Sequence, residues 1–323
     1  MNILITGSAG FIGYNLAKKL IGKKINVVGL DNLDFRTGTK LKINRLNSLK
    51  KNKNRKYFKF HKLDICSRLQ LEKIFKKYKF KKIIHLAALA GVRNSFLVPE
   101  KYIKVNIIGS FNILENAHKF KIPHLILAST SSVYGKKKQF PIKEEHITDL
   151  PLSLYAATKK SMEVISHVYA HNFNLSVTIL RFFTVYGPYG RPDMALYKFA
   201  KSFFDKKPIE LFNKGKHTRD FTYIDDIVNS IEKLIASKKK PKYYDVFNLS
   251  NGKAVPLSKY VKEIEFNLGN KLIKKFMGLQ RGDIHKTHGN NLKFKKKYNY
   301  SPRISVNHGV KNFIQWFKNY HKK

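Results

Sequence analysis

Cysteine, acid and long apolar runs are what this 323-residue chain has least of. Its one cysteine, Cys66, excludes an internal disulfide framework and fits a reducing, cytoplasmic compartment. No apolar run approaches the roughly 20 residues that a membrane-crossing helix needs, so no membrane partner is expected. Met1 runs straight into the apolar "NILITG", with no charged leader and short apolar core ahead of a cleavage site. Acidic residues number 21 against 64 basic ones, a formal net charge of +43. A field of that size draws nucleic acid, anionic lipid or phosphorylated metabolites. Fifty-four of the basic residues are lysines, however, spread along the whole chain rather than gathered into one arm. They read as a solvated surface, and no nucleic-acid partner is expected.

Only ten basic residues are arginines. A guanidinium offers a fork that matches carboxylate or phosphate, which an ammonium does not. Arg93, Arg181, Arg191, Arg219 and Arg281 all fall in segments dense with other signals. Arg181 reads as a structural ion-pair partner.

Hydrophobic residues make up 43% of the chain, enough for a globular core. Short β-branched runs at 2–6, 25–30, 57–64, 82–87, 124–130 and 177–183 alternate with helical patterns at 11–21, 67–79, 99–119 and 153–173. Strands apolar on both faces and separated by helices predict a parallel sheet covered on both sides. With right-handed crossovers, that is a doubly wound α/β fold of the Rossmann type. Beyond about residue 180 prolines punctuate loops, a further strand is expected at 244–250, and helices at 256–268 and 308–320. We therefore expect a nucleotide-binding domain over 1–180, with returning elements near 220–250. A smaller, discontinuous C-terminal lobe over 181–323 would interleave with it.

"ITGSAGFIGYNLA" follows the first strand and opens a helix, with Gly7, Gly10 and Gly13 spaced GxxGxxG. Glycines let the backbone turn tightly against a pyrophosphate, and the helix start, with Phe11 and Ile12, offers N–H groups and a favourable dipole. Asp31 ends the second strand eighteen residues beyond Gly13. A carboxylate there accepts from the hydroxyls of an adenosine ribose and repels a 2′-phosphate, which favours NAD. Arg36 lies near enough to keep NADP as the alternative.

"SLYAATKKSME" then places Tyr155 and Lys159 on one helix face. Alone, such spacing is usually structural. Behind a dinucleotide cradle it is an acid/base pair in which cations near the phenol favour phenolate. Thr130, ending the fifth strand, would orient the reacting oxygen. Ser153 reads as a helix cap, no GxSxG elbow supports hydrolysis, and no histidine shows metal-ligand spacing.

"TGSAGFIG", "HLAALAGVR", "STSSVYG", "YAATK" and "RDFTYIDDI" resemble the extended short-chain dehydrogenase/reductase superfamily, specifically its nucleotide-sugar epimerases. "LRFFTVYGPYGRPDMALYKF" is similar to the UDP-glucuronate 4-epimerase branch, although Tyr189 replaces the usual tryptophan. The resemblance implies bound NAD, a UDP-sugar in the C-terminal lobe and a homodimer. The reaction it implies is 4-epimerisation of UDP-glucuronate to UDP-galacturonate through a 4-keto sugar. A neutral or N-acetylated UDP-hexose is the alternative substrate, and a non-catalytic nucleotide- or RNA-binding protein the alternative class.

By the same resemblance Asn32, Asp64, Ile65, Leu86, Ala87, Ala88 and Asn106 would line the cofactor groove. Dehydratases and decarboxylases of the superfamily carry acids after the threonine; here stand Ser131 and Ser132. With Thr184 they would hold a sugar carboxylate. Arg219 would grip the diphosphate, with Arg93, Arg191 and Arg281 closing over the substrate.

Overall fold

A computed structural model of the chain describes residues 1–34, 38–237, 239 and 243–322; Arg36 lies outside them. The strands of the first half are β1 (Asn2–Thr6), β2 (Asn26–Asp31), β3 (Phe58–Lys62), β4 (Phe80–His85), β5 (Leu125–Thr130) and β6 (Val177–Phe182). The helices between them are α1 (Phe11–Gly22), α2 (Thr39–Lys50), α3 (Arg68–Lys77), α4 (Val92–Leu97), α5 (Pro99–Tyr102), α6 (Ser110–Lys119) and α7 (Leu154–Phe173). The second half contributes β7 (Thr184–Tyr186), α8 (Ala195–Phe204), β8 (Ile209–Leu211), β9 (Thr218–Tyr223), α9 (Ile224–Ala236) and β10 (Tyr244–Leu249). It ends with β11 (Ala254–Pro256), α10 (Leu257–Leu268), β12 (Lys274–Phe276), α11 (Leu292–Tyr298) and α12 (Val306–His321).

Seven strands form one parallel sheet in the order β10-β6-β5-β4-β1-β2-β3. Ile3, Leu4 and Ile5 of β1 are fully buried because helices cover both faces, which is why the central strands carry unbroken apolar runs. The strand order reverses between β1 and β4, and such a reversal opens a crevice at the carboxyl ends of the strands. Gly7, Asp31, Asp64, Leu86, Thr130 and Thr184 all lie at or just beyond those ends. This is a doubly wound Rossmann fold.

The rest of the second half makes a three-stranded sheet, β11-β9-β7, and a two-stranded one, β12-β8. Asp220 of β9 ties these pieces to the large sheet. Its buried carboxylate accepts from the N–H groups of Asn251 (2.8 Å), Gly252 (3.1 Å) and Gly289 (3.1 Å). The loops after β10 and before α11 are thereby fixed to one side chain.

Two elements differ from the sequence expectation. The helix expected over 99–119 is interrupted by a π-helical stretch at Ile103–Gly109. An extra residue in the turn lets Asn106 face inward, and Gly109 packs where an added Cβ would lie 2.7 Å from Ile65. Helix α2 had no clear apolar periodicity, because two of its five buried residues are the cations Lys42 and Arg45.

Candidate active site

The glycine cradle closes on itself. Gly7 takes a positive φ of 70°, and a Cβ there would sit 2.8 Å from the Ala87 nitrogen. A Cβ on Gly13 would lie 2.1 Å from the Gly7 carbonyl oxygen, so neither position admits a side chain without backbone movement. No side chain caps α1 at Gly10, which leaves the first-turn N–H groups of the helix to an incoming anion. That combination fits the diphosphate of NAD.

Asp31 is 6% exposed at the end of β2. Its Oδ2 accepts from Ala9 N–H (3.2 Å), and its Oδ1 from Leu33 N–H (2.8 Å) and the Lys42 ammonium (2.9 Å). Asn32 donates to Asp64 (3.0 Å), whose carboxylate also accepts from Cys66 N–H (2.9 Å). Burial opposes ionisation of Asp64, but those hydrogen bonds outweigh it and hold its pKa below the ordinary carboxylate value. Ile65 is buried in the core beside α6. Asp31, Asn32 and Asp64 therefore form one polar rim at the carboxyl ends of β2 and β3.

Thr6 organises the other wall. Its hydroxyl accepts from Leu86 N–H (3.2 Å) and Ala87 N–H (3.1 Å), so its own hydrogen goes to His85 Nδ1 (2.7 Å). His85 Nε2 must then donate to Ser110 (2.8 Å), which assigns the tautomer. Burial and the Lys159 charge push His85 down to about 3, so it stays neutral. Leu86, Ala87 and Ala88 follow in a half-buried loop. Asn106 is fully buried and clamps that loop to α7: it accepts from Leu89 N–H (2.8 Å) and donates to Leu89 O (3.0 Å) and Thr158 Oγ1 (3.1 Å). The geometry gives Asn106 a positioning role.

Ser153 caps α7 by accepting from Ala156 N–H (3.2 Å), and Tyr155 and Lys159 follow on successive turns. Tyr155 is hydrogen-bonded to Thr130 and lies edge-on to Tyr102, ring centroids 6.3 Å apart. Burial raises the Tyr155 phenol above its ordinary pKa; the positive charge of Arg191 and the bond with Thr130 pull it back. Arg191, a residue expected to close over the substrate, thus also bears on the phenol. One turn deeper, Lys159 is 4% exposed and lies under the field of Glu163 and near His85. Glu163 continues the same helix face by another four residues, a spacing visible in the sequence.

Beside the phenol, Thr130 Oγ1 accepts from Ser132 N–H (3.1 Å) and lies 3.2 Å from Ser132 Oγ. Ser131 is buried next to them, and Thr184 opens β7. Arg191 forks onto Asp193 (3.0 and 2.5 Å) and reaches Ala90 O (3.2 Å). Farther out, Arg93 stacks over Phe212 at 3.9 Å and pairs with Asp283 at 3.2 Å. Arg219 donates to the carbonyls of Thr218 and His285, both at 3.1 Å; burial draws its pKa down to about 10, with Asp283 raising it and Arg93 lowering it. The fold brings Arg93 and Arg219 together, while Arg281 is exposed. Tyr102, Asp193, Phe212 and Asp283 carried no sequence signal, because each meets its partner only through the fold.

Burial holds Lys159 down to about 8 from an ordinary 10.5, with Glu163 opposing the fall. The folded chain therefore releases this proton before the unfolded chain does, and stability rises with pH between those two values. Lys159→Met lacks the rise. Denaturant unfolding across that window should show the wild type gaining up to ~3 kcal/mol on the variant; parallel curves would place the ammonium in water instead.

The sequence profile of the NAD dependent epimerase/dehydratase family matches residues 3–250. A UDP-glucuronate 4-epimerase of Thermodesulfobacterium geofontis is 41% identical, over 98% of this chain and 95% of its own. The crystal structure of a Bacillus cereus UDP-glucuronic acid 4-epimerase, in complex with UDP-glucuronic acid and NAD, superimposes with a TM-score of 0.93. It is 34% identical, over 99% of this chain and all of its own. A Thermotoga maritima UDP-glucose 4-epimerase with UDP-glucose gives 0.90 at 29% identity, with the same coverage. The fold agrees with these matches, and the chain belongs to the NAD dependent epimerase/dehydratase family.

Proposed function

We propose that the chain interconverts UDP-glucuronate and UDP-galacturonate by inverting C4 through a transient 4-keto sugar. The observation that carries this is the run of neutral hydroxyls beside the phenol. Thr130, Ser131 and Ser132 crowd the end of β5, with Thr184 opening β7 nearby. Neutral donors hold a sugar carboxylate; an acidic side chain there would repel it and favour loss of CO₂ from the β-keto acid. The relatives named for UDP-glucuronate support the same substrate.

NAD, when bound, is the reversible oxidant at C4. Gly7, Gly10 and Gly13, with the N–H groups of Phe11 and Ile12, would hold its diphosphate. Asp31 would take the adenosine ribose with Asn32 beside it, Asp64 and Ile65 would flank adenine, and Leu86 to Ala88 would line the groove. Thr130 orients the sugar O4, and Tyr155 removes its proton and later returns it. Lys159 holds the nicotinamide-side ribose as a buried cation, and Arg191 favours the phenolate. Arg219 and Arg93 grip the UDP diphosphate, with Arg281 at the rim, while the keto sugar turns its other face. In this arrangement residues 1–180, with returning elements near 220–250, carry the cofactor, and 181–323 supply most of the sugar lobe.

No helix among the described residues is long and apolar enough to cross a membrane. A nucleotide-sugar substrate and the lone Cys66 both suit a cytoplasmic enzyme. Helices α6 and α7 leave Phe111, Val164, Val168 and Phe173 exposed, an apolar face suited to a second copy of the chain.

Incubation with UDP-glucuronate should yield UDP-galacturonate; a UDP-pentose as main product, or equal kcat/KM on UDP-glucose, would count against the acid pocket. Ser132→Glu should lower kcat/KM for UDP-glucuronate by about tenfold to a hundredfold, one like-charge contact costing ~1.4–2.8 kcal/mol. An unchanged product and KM would remove Ser132 from the carboxylate site. Sedimentation should report twice the 37.6 kDa chain mass, and a single-chain mass would leave the α6–α7 face without its partner.

A further inference from the structure

Arg191 is fixed by contacts outside its own loop. Arg191 follows Gly187–Gly190, a turn closed by Gly190 N–H donating to Gly187 O at 3.0 Å. Tyr189 within that turn is a non-glycine residue at φ +59°, a conformation that costs energy and persists only when its surroundings enforce it. Three rings surround it: Tyr14 of α1 at 4.9 Å between centroids, and Trp316 and Tyr320 of α12 at 5.0 and 6.3 Å. Its backbone is held from another direction. Arg45 of α2, 2% exposed, donates from Nη2 to Tyr189 O at 2.5 Å and to Gly190 O at 3.4 Å.

The other amino group of Arg45 goes elsewhere. Nη1 donates to Ala9 O at 2.9 Å, in the middle of the glycine cradle. Ala9 is pinned at its nitrogen too, donating to Asp31. One guanidinium therefore joins two loops that are 36 and 144 residues away from it in sequence, one built for the dinucleotide and the other carrying Arg191. Its Nε has no hydrogen-bond partner among the described residues, so the buried group is sited for these carbonyls despite an unsatisfied donor. A side chain without these donors would leave the Ala9 and Tyr189 carbonyls without these bonds.

We infer that Arg45 is a positioning residue that fixes the Arg191 loop to the cofactor cradle, so that Arg191 faces Tyr155 only while the cradle is in place. This rests on the proposed acid/base role of Tyr155. It makes the ionisation of that phenol depend on a side chain that does not touch it.

The test is the titration of Tyr155 itself, read as phenolate absorbance of each protein minus that of its Tyr155→Phe counterpart, with and without NAD. Arg191→Met should raise the midpoint by about 1 pH unit, tenfold less phenolate at a given pH. Arg45→Met should raise it in the same direction, and the double variant should shift no further than Arg191→Met alone. An unmoved midpoint in Arg45→Met, or shifts that add, would overturn the inference. If Arg45→Met does not fold, Arg45→Lys takes its place. One ammonium does not span two carbonyls that the guanidinium reaches with separate nitrogens, so a smaller rise is expected, and an unmoved midpoint overturns the inference equally. Failure of the proposed function reads differently: the wild type would not turn over UDP-glucuronate, whatever the titrations show.

Discussion

A single buried carboxylate sets the register of helix α7. Glu163 is 3% exposed and accepts two bonds from Arg181 of β6, from Nε at 3.0 Å and Nη2 at 2.6 Å. It accepts a third from Ser129 Oγ of β5 at 2.5 Å, one residue before Thr130. A charged pair buried this deeply is retained only when its remaining polar atoms are satisfied, and here they are: Arg181 also donates to the Tyr134 hydroxyl and the Glu144 carbonyl. Helix α7 is thus locked to both strands beside which Tyr155 must work. A slip of one residue along α7 would rotate the phenol by about 100° away from Thr130.

The same carboxylate decides an electrostatic contest. Burying an ammonium and a phenol on one helix face disfavours the charged form of each. Glu163 restores charge to Lys159, while Arg191 and Thr130 favour the phenolate at Tyr155. Lys159 and Tyr155 thus have separate counter-charges from separate parts of the chain. Arg191 is itself offset by Asp193, so its influence depends on where its loop is held.

How much of this was legible in the sequence depends on the span of each interaction. The glycine cradle, Asp31, the Ser153 cap and the Tyr155–Lys159 pair are local patterns whose geometry follows from spacing along one strand, turn or helix. Thr130 followed from the rule that chemistry gathers at strand ends. The pairing of Arg181 was legible as a class of interaction, but its partner was not. Arg93 meets Asp283 across 190 residues, and Arg45 meets Tyr189 across 144. No local pattern encodes such contacts. Helix α2 shows a second reason: Lys42 and Arg45 occupy core-facing positions that a hydrophobic periodicity would assign to leucine. The π-helical stretch around Asn106 exists to satisfy the loop after β4, a need visible only once the sheet is formed.

In the proposed reaction, inversion happens by oxidation and return at C4 within one site, where Tyr155 moves the proton of O4 and never a proton of carbon. UDP-glucuronate labelled with deuterium on C4 and converted in ordinary water should give UDP-galacturonate that keeps its deuterium at C4. Solvent hydrogen at C4, or exchange at C5, would overturn that reaction.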